Sequence, residues 1–495
     1  MKKWGAIQFY LAALGICLVA TSPVQASTDL ATSAWEFGDP ITFFDDRVQW
    51  DVEMRERFTF VEDWVDFNEN FDLRDDVALQ QRLRLGLRVS PYEFLDIYGQ
   101  LQDSRTFFDE PAGPNFNREL TTHNNAIDLH QGFVHLRPQP GIPFGIKVGR
   151  QKLSFGDERL IGANEWSNNA RVFDAVQLTF DQADYQIHAF SGWVVIPEAK
   201  EVDSPDTEDL ISGIYINSNW IPGITTEPYV LYRRKTDVDV NSSLSSAENQ
   251  RSGNNAPAGD IVTTGVRLES KPEEFGSIDF RVEVALQAGS IRNPKGFGAG
   301  VAGNPVNTGR QDHIAGAVHA QIGYTAETLP LKPRFFGEFN YASGDDDPND
   351  DIDSTFQPLY PTPHRFHGQL DRFAWMNMFE FAVGAEARVL PNWDVSLSYH
   401  VFLVAETSDP LRVGSQGALG GVGRYGNALN SNPSPFAGSE LNLRSRYHLN
   451  RWASFEFGYA HFFTGNYIED TAPLLNGTRE SDDADFAYLQ LSILL

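Results

Sequence analysis

Two short stretches of the sequence place arginines at alternate positions. Arg82, Arg84 and Arg88 are separated by even numbers of residues, and so are Arg444 and Arg446. Because successive side chains of a β-strand point to opposite faces, each set would lie on one face of its strand. A guanidinium is a permanent cation whose planar fork of donors matches a carboxylate. These arginines could therefore recognise an anionic sugar, or they could pair with acids of the same wall and brace it.

The segments that carry the arginines alternate apolar and polar residues with a period of two, which predicts β-strands. The same alternation is found at 47–55, 278–287 and 440–448, and it continues to the last residue. We predict eighteen strands, at 47–60, 77–89, 94–106, 126–137, 144–151, 172–180, 185–195, 211–219, 228–235, 261–269, 277–288, 313–323, 333–341, 379–389, 393–405, 439–448, 453–463 and 485–495.

The links between these strands separate a membrane barrel from a soluble sandwich, which would also alternate. Short links such as 90–93, 181–184 and 390–392 take turns with long polar links such as 106–126, 235–260, 342–378 and 406–438. Transmembrane barrels have short periplasmic turns and long extracellular loops. The sequence therefore predicts an all-β, transmembrane antiparallel β-barrel of eighteen strands over 47–495. Segments 242–258 and 345–360 are expected outside the cell.

The N-terminus predicts export. Lys2 and Lys3 precede an apolar stretch at 4–20, and Val24, Gln25 and Ala26 resemble a cleavage site. This pattern is typical of a secretory signal peptide at 1–26, with a membrane anchor as the alternative. Residues 27–46 are then a periplasmic N-terminal segment. An exported barrel is expected in the outer membrane of a Gram-negative bacterium, in contact with membrane lipid and lipopolysaccharide.

Charge and cysteine content exclude other classes of protein. The only cysteine is Cys17, inside the predicted signal peptide, so the mature chain has no disulfide. Cleavage removes two lysines and no acid, which changes the net charge from −28 to −30. Such acidity argues against a nucleic-acid partner. No later segment approaches the ~18–20 apolar residues of a spanning helix, so membrane crossing requires a closed barrel.

The most distinctive string is GRQKLSFGDERLIG at 149–162, followed by EWSNNARVFD at 165–174. Three further strings are SGDDDP at 343–348, LYPTPH at 359–364 with Gly368, and LNLRSR at 441–446. Together they resemble the alginate export family of outer-membrane porins, in matching order over nearly the whole mature chain. The resemblance implies an eighteen-stranded barrel with an arginine-lined constriction that passes a polyuronate passively. The residues of this sequence that match functional positions of the family's motifs are Arg150, Arg159, Arg171, Asp174, Arg444 and Arg446.

We therefore expect a porin, not an enzyme, that conducts an anionic polysaccharide or oligosaccharide. A diffusion porin for other small hydrophilic solutes is the alternative. The solute, the direction of flow and any periplasmic export or uptake proteins stay open. The expected substrate-pathway residues are Arg82, Arg84, Arg88, Arg150, Arg159, Arg171, Asp174, Arg444 and Arg446.

Two other chemistries are less favoured. A remote alternative is an outer-membrane lipolytic enzyme, which would need a Ser-His pair on adjacent lipid-facing strands. Ser396, Ser398 and His400 share the polar face of one predicted strand, but no GxSxG string is present. The acidic run from Asp345 to Asp353 suggests calcium, yet it lacks the glycine and terminal glutamate of an EF-hand loop. A solvated loop is favoured there, and no cofactor is expected.

Overall fold

The computed structural model describes residues 41–44, 47–63, 76–108, 125–198, 202–236, 258–271, 274–292, 310–347, 350–409, 411–412, 424–425, 433–471 and 481–495. The chain divides into two units, Met1–Phe37 and Gly38–Leu495, and every described residue belongs to the second. The predicted signal peptide and most of segment 27–46 lie outside the described residues. No described helix is long and apolar enough to span a membrane.

Eighteen long strands form one antiparallel sheet, which we number in chain order. They are β1 Val48–Glu62, β2 Asp76–Tyr92, β3 Leu95–Phe107, β4 Asn125–Leu136, β5 Phe144–Gln151, β6 Phe173–Gln182, β7 Tyr185–Ile196, β8 Ser204–Ile221, β9 Ile224–Lys235, β10 Gly259–Ser270, β11 Ile278–Arg292, β12 Arg310–Thr325, β13 Arg334–Ala342, β14 Met378–Leu390, β15 Trp393–Val404, β16 Phe436–Asn450, β17 Ala453–Thr464 and β18 Ala484–Leu494.

The sheet closes on itself because β1 pairs with β2 on one side and with β18 on the other. The closing register runs from Glu53 opposite Leu494 to Glu62 opposite Asp485. Closure leaves no strand edge with unpaired backbone groups, which hydrocarbon requires. The prediction of a closed eighteen-stranded antiparallel barrel is confirmed.

Links of two kinds alternate along the barrel. The links at 93–94, 183–184, 222–223, 391–392 and 451–452 are two-residue turns, and they all lie at one end, the short-turn end. The links that leave β5, β13 and β15 begin and end at the other, the long-loop end. The link at 197–203 is shorter than predicted because β8 begins at Ser204 rather than near residue 211.

The two faces of the wall differ as the alternation predicts. On β2, Leu83 and Leu85 are 49% and 44% exposed and point outward, whereas Arg82 and Arg84 are 4% and 1% exposed and point into the lumen. Outward apolar side chains form the surface that lipid covers. Exposed aromatic residues gather beside the short turns, as in the interfacial girdles of such barrels: Tyr92, Phe94, Phe144, Trp220 and Trp452.

Two links turn back into the lumen, and we name their described parts loop A (152–172) and loop B (343–347 and 350–377). They join through a parallel bridge between Ile161 and Tyr360. Segment 345–360 was expected to be a polar loop. Phe356 and Tyr360 are fully buried, so the end of that segment is not a solvent-exposed polar loop. Loop B also contains the short strand Ile352–Asp353, parallel to β12, and a 3-10 turn at Pro363–Arg365.

Smaller elements complete the described chain. Strand Ile41–Phe43 pairs with the start of β1, Leu411–Arg412 pairs with Arg424–Tyr425, and a single helix turn, Asn466–Thr471, precedes β18.

Candidate functional site

A ladder of buried cations lines the lumen face of β1 and β2. Arg55 and Arg57 on β1 lie beside Arg82 and Arg84 on β2. Glu53 compensates two of them, with its Oε2 2.8 Å from Arg84 Nη1 and its Oε1 in contact with Arg82. Buried charges persist only when they are paired or hydrogen-bonded. These arginines therefore need further partners from across the lumen.

Loop A supplies those partners. Arg55 Nη1 donates to the carbonyl oxygen of Glu165 at 2.7 Å, and Arg82 Nη1 donates to the same oxygen at 3.1 Å. The Glu165 carboxylate lies 2.8 Å from Arg84 Nη1 and 3.1 Å from Arg82 Nη2, and it contacts Lys152. Three cations thus surround one carboxylate. Burial alone would raise the pKa of Glu165, but Arg84, Lys152 and Arg82 hold it well below its usual value.

Trp166 packs loop A against the wall and against loop B. The Arg57 guanidinium lies 3.7 Å from the centre of the indole, a cation–π contact. The ring of His364 in loop B stacks on the same indole with centroids 3.4 Å apart and planes 3° from parallel. Tyr488 of β18 meets it edge-on at 4.9 Å. The stack of Trp166 on His364 therefore joins the two loops inside the lumen.

Arg159 fixes the tip of loop A to the wall formed by β12 and β13. Its guanidinium contacts Asp157 at 3.2 Å and Glu338 at 3.1 Å, and it donates to the Asn340 side chain at 3.3 Å. Its side chain is buried. Burial would lower the pKa of Arg159, but Asp157 and Glu338 raise it above its usual value.

Arg171 joins the two loops. Its Nη1 donates to the carbonyl oxygens of Gly162, Tyr360 and Pro361 at 3.1, 2.8 and 2.9 Å. Burial lowers its pKa to about 10. The hydroxyl of Tyr360 donates to Asp209 of β8 at 2.6 Å, so the bridge is also tied to the wall.

Arg150 and Asp174 form a two-point ion pair between β5 and β6. Arg150 Nε and Nη2 lie 2.8 and 3.1 Å from the two Asp174 oxygens. The preceding Gly149 has φ +125°, and a Cβ there would come within 2.2 Å of the Gly132 carbonyl oxygen. Only glycine tolerates both conditions, so the start of the GRQ string positions this pair.

A polar cavity of about 300 Å³ opens inside the barrel near the short-turn end. Arg88 and Lys147 line it, and neither forms an ion pair with any residue that the structure describes. Lys147 Nζ lies 4.0 Å from the ring centre of Phe133. Of the cavity acids, Asp96 is compensated by Arg137 at 3.2 Å. The lining also includes His135, Gln177, Thr179, Asp181, Gln186 and His188.

Arg444 and Arg446 differ although they lie two residues apart on β16. Arg446 pairs with Glu456 of β17 and is 43% exposed. Arg444 is exposed on the lumen face and has no carboxylate within ion-pair distance among the described residues. Arg444 therefore keeps donors that a solute could use.

The predicted pathway residues thus fall into two groups. Arg82, Arg84, Arg150 with Asp174, Arg159, Arg171 and Arg446 hold the wall or the loops, whereas Arg88 and Arg444 keep free cationic groups. Their role in a solute pathway stays a prediction. The alternation also places Lys147 on the lumen face, although it was not among the expected pathway residues. Sequence reasoning missed Glu165 as the common partner of the ladder, because nothing local identifies it.

The structure also describes the residues of the two less favoured sites, the lipolytic serine–histidine pair and the acidic run. Ser398 and His400 point into the lumen and not toward lipid, since Leu397 and Tyr399 are the exposed outward residues of β15. In the acidic run, Asp345 and Asp353 are buried. No group of three or more His, Cys, Asp or Glu side chains within the described part of the chain is arranged to hold a metal.

Comparison with known proteins agrees with this architecture. The sequence model of a family described as alginate export matches residues 47–479, most of the chain. No curated protein matches the sequence.

Solved structures share the fold at low sequence identity. The outer-membrane protein OpdK of Pseudomonas aeruginosa is 13% identical, with a TM-score of 0.54 over 92% of this chain and 100% of that one. OpdK of the same organism with vanillate is also 13% identical, with a TM-score of 0.53 over 92% and 99%. OccAB1 of Acinetobacter baumannii is 10% identical, with a TM-score of 0.57 over 93% and 99%.

Proposed function

Because the chain belongs to the alginate export family, we propose that it conducts an anionic saccharide of the polyuronate class passively across the outer membrane of a Gram-negative bacterium. The observation that carries this proposal is the set of lumen cations without carboxylate partners. Arg88, Lys147 and Arg444 face the lumen, and no described acid lies within ion-pair distance of them.

The contrast between paired and unpaired arginines gives the proposal its physical basis. A paired arginine has a fixed geometry and a compensated charge, so it contributes little to attraction of a passing anion. An unpaired arginine keeps its positive field and its donors, and charged groups lining a pore select ions by sign. The chain has a net charge of −28, yet no described acid lies within ion-pair distance of these three lumen cations.

A second candidate is a diffusion porin for small carboxylates. The cavity of about 300 Å³ beside Arg88 and Lys147 is at the lower limit of ligand pockets and would hold one sugar-sized anion. The vanillate in the OpdK structure is likewise a carboxylate, although that likeness extends to the fold alone. Both candidates need the same cations, and they differ in the length of the solute.

The test is electrical measurement in planar bilayers. The wild-type channel should prefer anions in a salt gradient, and oligouronates should block its current, with block strengthening as the oligomer lengthens. Block by monomers and oligomers of equal strength would favour the diffusion porin. A channel that prefers cations and is not blocked by any uronate would contradict the proposal.

Arg444→Gln and its neighbour Arg446→Gln form a matched pair. Each removes one positive charge from β16, but Arg446 is compensated by Glu456, whereas Arg444 has no carboxylate partner among the described residues. In 1 M KCl, where the screening length is ~3 Å, direct contacts dominate over the long-range field. A lost charge-assisted hydrogen bond of about 1.5 kcal/mol weakens block about tenfold. Arg444→Gln should therefore weaken block about tenfold, and Arg446→Gln should change it much less.

The direction of flow follows from the driving gradient and not from the barrel, since a passive pore conducts both ways. Export requires a periplasmic apparatus that delivers polymer, whereas uptake requires one that removes oligomers. We propose that either apparatus would dock at the short-turn end, where the cationic cavity opens. Co-purification from cells with a tag on the barrel would test this, and recovery of no periplasmic protein would count against it.

A further inference from the structure

A hydrogen-bonded chain of three side chains lies on the lumen face where β14 meets β15. Ser398 Oγ lies 2.9 Å from His400 Nε2, and His400 Nδ1 lies 2.6 Å from Glu380 Oε1. Ser398 and His400 are two residues apart on β15, so they share one face, and Glu380 comes from the neighbouring strand. Neither the fold nor the conduction proposed above uses this arrangement.

The surroundings of Glu380 fix the direction of the hydrogen bonds. Its carboxylate is fully buried, and its Oε2 accepts from Asn340 Nδ2 at 2.8 Å and meets His367 Nδ1 at 2.7 Å. An ionised carboxylate only accepts, so His400 must carry its proton on Nδ1. In neutral His400 the lone pair of Nε2 then faces Ser398, and the hydroxyl must donate. A hydroxyl that donates to an imidazole oriented by a carboxylate is the arrangement of an activated serine nucleophile.

The strand across from Ser398 supplies candidate donors for a developing oxyanion. Asn442 of β16 is directly opposite Ser398 in the register, which places their Cβ atoms ~4.5–5.5 Å apart. Asn442 is 4% exposed, and its amide Nδ2, not its oxygen, is the group that can donate. Arg444, the next lumen-facing residue on that strand, has no carboxylate partner among the described residues. Amide and cationic donors beside a nucleophile stabilise the tetrahedral intermediate of acyl transfer.

The position of the chain limits its substrate. Ser398 is partly exposed to the lumen, whereas its neighbours Leu397 and Tyr399 face lipid. The acyl chain of a membrane lipid cannot reach a group on the opposite face of the wall. The substrate class is therefore a water-soluble ester that enters the lumen.

We infer that the Ser398–His400–Glu380 chain hydrolyses such esters. Ser398 Oγ forms a bond to the acyl carbon while its proton moves to His400 Nε2, and the alcohol leaves with that proton as the ester C–O bond breaks. Water then attacks the acyl-serine and gives its proton to Nε2, which returns it to Ser398 Oγ as the carboxylic acid departs. One ester and one water give one acid and one alcohol, and no other reactant is needed.

The test combines a covalent probe with turnover, using the full-length barrel in detergent micelles. A fluorophosphonate should label wild-type protein, and peptide mass spectrometry should locate the adduct on Ser398. The same protein should hydrolyse 4-nitrophenyl acetate. Ser398→Ala should abolish labelling, and His400→Gln should reduce hydrolysis by ~10²–10⁴-fold, the usual contribution of a general base.

Ser396→Ala is the matched control, because Ser396 lies on the same face of β15 but has no hydrogen bond to His400. It should keep both labelling and hydrolysis. Single-channel conductance of each variant reports insertion of an intact barrel. Wild-type protein that neither labels nor hydrolyses, or activity that survives Ser398→Ala, would overturn the inference and leave the three groups as a brace for His367 of loop B. Because conduction and hydrolysis are measured separately, failure of either proposal leaves the other intact.

Discussion

Arg171 offers the sharpest test of the idea that arginines hold the two inward loops together. Its guanidinium donates to Gly162 in loop A and to Tyr360 and Pro361 in loop B. Arg171→Met keeps an unbranched stem but removes every donor. The carbonyl oxygen of Tyr360 keeps a partner in Gly162 N at 2.8 Å, whereas those of Gly162 and Pro361 lose the arginine.

The size of the effect follows from this count. Each hydrogen bond from a charged donor contributes about 1.5–3 kcal/mol, so two orphaned carbonyls cost about 3 kcal/mol at the lower end. Removal of a buried cation offsets part of that loss, since burial already lowers the pKa of Arg171 to about 10. A net cost of about 1.5 kcal/mol would raise the population of separated loops roughly tenfold. Backbone contacts such as Tyr360 N to Leu160 O at 2.8 Å remain, so the barrel itself should persist.

Single-channel recording measures the result. Arg171→Met should show greater open-channel noise and a larger mean conductance, because the two loops no longer move as one body in the lumen. Arg150→Met is the control, since Arg150 pairs with Asp174 on the wall and has no hydrogen bond to loop B. Identical noise and conductance in wild type and Arg171→Met would refute the reasoning and assign loop cohesion to the backbone bridge and the Trp166 stack.

Two further outcomes are expected. Burial favours protonation of Glu165, but Arg84, Lys152 and Arg82 hold its pKa well below 4.5. The pKa of Glu165 is therefore lower in the folded protein than in the unfolded chain. The carboxylate stabilises loop A fully above about pH 4.5, and this stabilisation is lost as the pH falls through the pKa of the folded protein. Channel noise should therefore be constant from pH 7 to 5 and rise only on stronger acidification, and a rise unchanged in Glu165→Gln would exclude this carboxylate. An epitope tag at Asn254 should be accessible on intact cells, whereas a tag at Pro391 should require a permeabilised outer membrane; the reverse pattern would invert the topology.

The fold could be predicted because membrane crossing imposes a local rule. Every residue of a barrel strand faces either lipid or lumen, so Leu83 and Arg84 reveal their faces from sequence order alone. The link lengths then indicated a transmembrane barrel and the number of its strands, since long and short links lie at opposite ends of such a barrel. The bounds of β8 were wrong by several residues because Ser204–Asp209 continues the strand through a polar stretch that resembles a loop.

The candidate site could be predicted only in part. Alternation placed Arg82, Arg84, Arg88, Arg444 and Arg446 on the lumen face, but it could not separate free cations from paired ones. That difference depends on Glu165, which lies 81 residues from Arg84 in the chain yet 2.8 Å from it in space. In the same way Ser398 and His400 are visible in sequence, whereas Glu380 joins them only through strand pairing.

What the sequence by itself determined is therefore the wall: the period of two, the face of each side chain and the order of the strands, because these follow from the geometry of a single strand and its links. What only the tertiary structure decided is the content of the lumen. Loop A and loop B turn inward and anchor on arginines, because a buried guanidinium is stable only when carboxylates and carbonyls that are distant in sequence compensate it. The arginines that the loops engage are Arg55, Arg57, Arg82, Arg84, Arg159 and Arg171. The path of a loop and the partner of a charge are set by packing across the barrel, which no local pattern encodes.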